Sequence, residues 1–160
     1  EASLTGQIAV SVVQILPNGN LVVKGETVLA FDFGLRKIGV AVGNTLTKTT
    51  MPLDIIYTKN GDTPWSDIEN LLEEWKPLSV IVGDPINMDD TFSEMSGKAR
   101  KFAQRLHGRF SVKVLMIDER LSSFEAKSFF QNGFGGKINS DNIDSFAAEI
   151  FLKSWMEETT

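Results

Sequence analysis

Apolar positions along the chain follow two periods. Val28, Leu29, Ala30 and Phe31 form an unbroken run with an acid, Asp32, directly after it. Such a run fits a strand buried on both faces. Phe33 and Gly34 then mark a turn, and Lys37 to Val42 reads as the returning strand. Pro52 to Thr58, apolar at Leu53, Ile55 and Ile56, predicts a third strand. Leu78 to Val82 predicts a fourth, and Val112 to Ile117 a fifth. Between and after them the period changes. Trp65, Ile68, Leu71, Leu72 and Trp75 recur at helical spacing, as do Met95, Ala99, Phe102, Ala103 and Leu106. Ile143, Phe146, Ala147, Ile150, Phe151 and Trp155 give a final amphipathic helix.

Start signals agree with these periods. Thr63 before Pro64 predicts a cap with proline at the first helical position. Ser93 predicts the start of the second helix. Ser122 with Glu125 is a capping box that opens a short helix through Phe129 and Phe130. Ser140 or Asp141 caps the last helix. Asn44 to Thr50, Gly83-Asp84-Pro85 and the glycine-rich Asn132 to Asn139 read as loops, the last a candidate substrate flap. The first three strands have short connections and suit an antiparallel meander. The later ones need helical crossovers and should run parallel. The expected fold is α/β, a mixed five-stranded sheet flanked by helices. Ahead of it, Ile8 to Leu16 and Leu21 to Lys24 flank the turn Pro17-Asn18-Gly19-Asn20 and predict an extra N-terminal β-hairpin. Residues 1–26 are therefore expected to be an appended segment and residues 27–160 the main domain.

Composition narrows the chemistry. The 160 residues include no cysteine and a single histidine, His107. That excludes disulfides, thiolate metal sites and multi-histidine zinc sites, and leaves oxygen ligands suited to Mg²⁺ or Mn²⁺. No apolar run approaches a membrane span and no signal peptide opens the chain, so a cytoplasmic protein is expected. The net charge of −5 means that any nucleic-acid contact needs a local basic face.

Three acids lie at element ends. Asp32 ends the first strand, Glu119 the fifth, and Asp144 falls in the first turn of the final helix. An ionised carboxylate among apolar neighbours is costly unless it is paired or holds a metal, and Asp32 stands between phenylalanines. Three convergent carboxylates can hold two divalent cations, the arrangement used for phosphodiester hydrolysis. Bland roles remain open for each: Asp144 at the positive end of a helix dipole, Glu119 in an ion pair with Arg120 or Arg36, and, with the weakest case, Asp32 as an ordinary strand-end acid.

The segments FDFGLRKIGVAVG, VGDPINMDD, DERLSS and NIDSFAAEIFL, in this order and spacing, resemble the four motifs of the YqgF (RuvX-like) family. That family has an RNase H-like fold and is described both as Holliday junction resolvases and as nucleases that mature the 5′ end of 16S rRNA. The resemblance covers Thr27 to about Glu158. It implies a central first strand beside the strand ending at Gly83. It also implies a site of Asp32, Glu119 and Asp144 at one end of the sheet, catalytic and metal-binding, with two Mg²⁺ or Mn²⁺ ions. Asp84 stands where the family usually has leucine, and is a fourth ligand or a loop-end acid. Residues 6–26, before the family's usual start, resemble part of the flagellar L-ring protein and suggest a fused segment.

Lys98, Arg100, Lys101 and Arg105, with Arg109 just beyond and Lys113, concentrate positive charge in an acidic chain and are candidate phosphate contacts. Arg36, Lys37 and Arg120 lie beside the acids in sequence and could touch the scissile strand. His107 reads as a helix-end residue, and Trp65, Trp75 and Trp155 as core. The expected partner is RNA or branched DNA, bound by a monomer or homodimer. No residue visibly reads base sequence, so rRNA precursor and Holliday junction stay open alternatives. Asp32-Phe33-Gly34 also resembles the opening of actin-type phosphotransferases, but one domain of this length cannot form their two-domain cleft. An RNase H-like module that binds without cleaving is the remaining alternative, and the intact acid triad argues against it.

Overall fold

A computed structural model describes residues 12–19, 21–23, 27–87, 89, 91–119 and 143–158. Strands β1 (Val12–Ile15) and β2 (Leu21–Val23) pair antiparallel across the Pro17–Gly19 turn as a two-stranded sheet of their own. Strands β3 (Thr27–Asp32), β4 (Lys37–Asn44) and β5 (Thr49–Tyr57) form the expected antiparallel meander. Helix α1 (Trp65–Trp75) leads to β6 (Ser79–Asp84), which joins β3 in parallel. Helix α2 (Glu94–Phe110) leads to β7 (Lys113–Asp118), parallel to β6. Helix α3 (Ile143–Glu158) follows. The five-stranded order is β5-β4-β3-β6-β7, so the strand that carries Asp32 is central.

The alternation of side chains along a strand divides the core into two layers. Leu29 and Phe31 of β3, with Val80 and Val82 of β6, pack against Ile68 of α1 and Ala99, Phe102, Ala103 and Leu106 of α2. Val28 and Ala30, with Ile81, pack on the other face against Ala148, Phe151, Leu152 and Met156 of α3. Every apolar residue from Val28 to Phe31 is buried, as an unbroken apolar run between two helical layers should be.

Three boundaries differ from the sequence reading. Gly83 and Asp84 are not loop residues; they pair in register with Ile117 and Asp118 as the last residues of β6. The third strand begins at Thr49, because Asn44 closes a tight turn whose side-chain oxygen accepts from the amides of Leu46 and Thr47, and pairing resumes at once. Pro64 is the N-cap of α1 rather than its first helical residue, and the Thr63 side chain makes no cap hydrogen bond. The Ser93 cap is as expected, its hydroxyl accepting from the Ser96 amide at 2.9 Å. The short helix expected at 122–130, the glycine-rich loop 132–139 and Arg120 lie outside the described residues.

Candidate active site

Strand parity decides which acids can meet. Asp32 continues the Val28, Ala30 series and Glu119 the Leu115, Ile117 series, so both belong to the α3 side of the sheet. Asp84 and Asp118 fall one step out of phase and belong to the α2 side. Asp32 and Glu119 are both half-buried, and a side-chain hydrogen bond joins them. Glu119 titrates above its ordinary range. Burial is the main cause, partly offset by the hydrogen bond to Asp32 and reinforced by the negative charges of Asp84 and Asp118. Two carboxylates this close repel each other when both are ionised, and a cation between them would relieve that repulsion.

Gly83 makes this pairing possible, and the sequence reading missed it. It lies on the α3 side of β6. A methyl group built there would strike the Glu119 side chain and stand 2.9 Å from Phe151 Cε2. The available signal was a glycine at the end of an apolar strand run, which marks close approach by another group. A second glycine, Gly34, shapes the turn after Asp32: a Cβ there would run into the Lys37 carbonyl oxygen.

Asp144 is the second residue of α3, four and seven residues before Ala148 and Phe151, both packed on the sheet. The helix is fixed at this end by Ser145. Its buried hydroxyl accepts from the Val40 amide at 3.3 Å and donates to the Leu53 carbonyl at 2.9 Å. These are backbone groups at the register shift between β4 and β5, one residue from the Gly39 that pairs with Asp32. The start of α3 is thus brought to the end of the sheet where Asp32 lies. Among the described residues no group of three acid or histidine side chains stands close enough to hold an ion.

Asp84 is 2% exposed and has its own partners. It accepts a hydrogen bond from Ser96 and two from Arg100, whose Nη2 lies 2.8 Å and whose Nε lies 3.1 Å from Oδ2. The same guanidinium covers the Phe92 ring at 4.1 Å. Arg100 therefore ties α2 to the end of β6. Lys98 pairs with Glu94 at 3.6 Å, one turn away. Lys101 and Arg105 are exposed on α2. Leu35 and Arg36 are exposed, and with Asp32, Phe33 and Lys37 they line a cleft of about 380 Å³. His107 takes the expected helix-end role, with Nδ1 2.9 Å from the Val112 carbonyl oxygen. Trp65 and Trp75 pack against one core layer and Trp155 against the other.

A central antiparallel meander extended by parallel strands, with helices on both faces, defines an α/β protein of RNase H-like fold. Thermus thermophilus RuvC in complex with a Holliday junction matches it with a TM-score of 0.54 at 12% identity, over 83% of this chain and 96% of that one. The fowlpox virus resolvase bound to Holliday junction DNA matches with a TM-score of 0.51 at 15% identity, over 83% and 98%. The family model described as "RuvX: Holliday junction resolvase" matches residues 26–158, and the chain belongs to that family. A relative from Hahella chejuensis, named "Putative pre-16S rRNA nuclease", is 50% identical over 132 residues, 82% of this chain and 84% of its own. A relative of the same name from Escherichia coli O1:K1 / APEC is 49% identical over 133 residues, 82% and 96%. The flagellar L-ring family model matches residues 1–41 and overlaps the first match.

Proposed function

We propose that this chain is a divalent-cation-dependent endonuclease that hydrolyses phosphodiesters in structured nucleic acid, acting on the 5′ end of pre-16S rRNA. The observation that carries the proposal is the Asp32–Glu119 pair, two hydrogen-bonded carboxyl groups held together at the end of the central sheet. The donor set fits Mg²⁺ or Mn²⁺. It consists of carboxylate oxygens, with no thiolate in the chain, and further negative charge from Asp84 and Asp118 stands close by. Asp32, Glu119 and Asp144 would hold the ions. When bound, two such ions supply an activated water and stabilise the leaving oxygen.

The remaining roles belong to the chain itself. Arg36 and Lys37, in the cleft beside Asp32, orient the scissile strand by its phosphates. Arg100 and Ser96 occupy the Asp84 carboxylate, which leaves Asp84 as a nearby charge rather than a ligand. Residues 1–26 form an appended segment and residues 27–160 the nuclease domain, which works in the cytoplasm as a monomer or homodimer. The RNA assignment follows the names of relatives at about half identity; the alternative is a four-way DNA junction, the substrate held by the distant structural neighbours.

The test is cleavage of a 5′-extended 16S precursor and of a four-way DNA junction, each with Mg²⁺ or Mn²⁺, by wild type and by Asp32→Asn. The expected result is precursor cleavage that disappears with EDTA and in the variant. Preferred cleavage of the junction would transfer the assignment to resolvase. Tight binding of both with cleavage of neither would make the chain a binding module.

A further inference from the structure

A cavity of about 560 Å³ lies along α2, outside the acid pair. Four cations line it, Lys98, Lys101, Arg105 and Arg109, against one acid, Asp62. That excess is local, since the whole chain carries −5. The cations follow one another at intervals of three or four residues, so they share one face of α2. Eleven residues of helix separate the first from the last, roughly 16 Å of rise at about 1.5 Å per residue. A row of positive charges at steps of roughly 5–6 Å suits a polyanion with regularly spaced charges rather than one isolated phosphate.

The wall behind the cations is aromatic and already stacked. Phe33 stacks on Phe102 at 4.9 Å, Phe102 on Trp65 at 5.6 Å, and the Arg109 guanidinium covers the Trp65 ring at 4.6 Å. Trp65 is thus contacted by Phe102 and by Arg109, which leaves it poorly suited to stack on a base. The stacking also holds Arg109 in place beside the cavity. Phe33 connects the two regions. It follows Asp32 directly and lines both this cavity and the cleft that contains Asp32.

We propose that the cavity seats the sugar-phosphate backbone of the substrate strand next to the cleaved bond. Lys101, Arg105 and Arg109 hold consecutive phosphates, and the seat does not read bases. The strand leaves the carboxylates, passes Phe33 and continues along α2. This inference rests on the nuclease reading above, because only that reading places a strand at Asp32.

The test is a fluorescence anisotropy titration of the full chain with labelled 20-nucleotide single-stranded RNA in EDTA, so that no cleavage occurs, across a salt series. Wild type is compared with Lys101→Gln/Arg105→Gln, with Arg109→Gln, and with Lys76→Gln as a control away from the cavity. Each phosphate contact on a single strand contributes about 0.7 to the slope of log affinity against log salt. The double variant should flatten the slope by about 1.4, Arg109→Gln by about 0.7, and Lys76→Gln not at all. The losses should be equal for uridine-rich and adenosine-rich strands. Wild-type slopes in both cavity variants would overturn the seat, as would losses confined to one base composition. If wild type then cleaves nothing with Mn²⁺ while the slopes shift as stated, the nuclease reading fails, the phosphate contacts along α2 stand, and the placement of the seat beside a cleaved bond falls with that reading. If it cleaves while the slopes do not move, the seat alone fails.

Discussion

Asp32 and Glu119 meet because both fall on the α3 side of the sheet, and because the residue between their strands on that side is a glycine. Gly83→Ala places a methyl group against Glu119 and Phe151. It is expected to cost about 1–3 kcal/mol in stability, the usual range for overpacking. Cleavage should fall by more than that destabilisation accounts for, since the displaced group is one of the candidate ligands. Thermal melts and single-turnover cleavage on the same samples separate the two effects. Asp32 was legible in the sequence, as an acid that closes an apolar strand. Gly83 was not, because Gly-Asp-Pro carries the signature of a loop and its strand character depends on pairing with Ile117 and Asp118, 34 positions further along the chain. Asp84 looked ambiguous for the same reason. Its partners Ser96 and Arg100 reach it only once α2 has packed along β6.

At the scale of elements, α3 is held at both ends by side chains that replace missing backbone partners. Ser145 fills the irregular step between β4 and β5, and Lys48 donates to the Met156 carbonyl at 2.8 Å near the helix C-terminus, where a cation is favourable. Ser145→Ala leaves the Val40 amide and the Leu53 carbonyl without this partner. The expected cost is about 1–3 kcal/mol by chemical denaturation. Because Asp144 is the preceding residue, Mn²⁺ affinity should fall as well. Glu149 gives α3 a pH dependence. It is buried, and burial raises its pKa above 4.5, although a hydrogen bond from Thr50 at 2.8 Å and the charge of Lys153 pull the other way. The folded state therefore binds this proton more tightly than the unfolded chain. The associated stability is fully present below about pH 4.5 and is lost as pH rises through the raised value. Glu149→Gln, which keeps the acceptor oxygen and removes the charge, should melt higher than wild type at pH 7 and lose that advantage near pH 4. The helix itself was legible from its period. The serine that positions it was not, since Ser145 in a sequence is an ordinary polar residue of a first turn and a register shift leaves no mark.

For the whole molecule, the directions of the strands followed from connection lengths: short links gave the antiparallel meander and helical crossovers gave the parallel strands. The central place of β3 came from family resemblance, because periodicity alone does not order a sheet. The β1–β2 hairpin forms no ladder with the five-stranded sheet among the described residues, and the resolvase family match begins at residue 26. Removal of residues 1–26 is therefore expected to leave the melting temperature and Mn²⁺-dependent cleavage of the main domain unchanged. A large drop in either would show that the segment supports the nuclease domain. The proposed activity depends on the carboxylates at the end of the central strand. Single-turnover cleavage of the 16S precursor under a Mn²⁺ titration, wild type beside Asp32→Asn with matched circular dichroism spectra, tests it most directly. The expected result is metal-dependent cleavage by wild type and none by the folded variant at any Mn²⁺ concentration. Equal cleavage by both would contradict it.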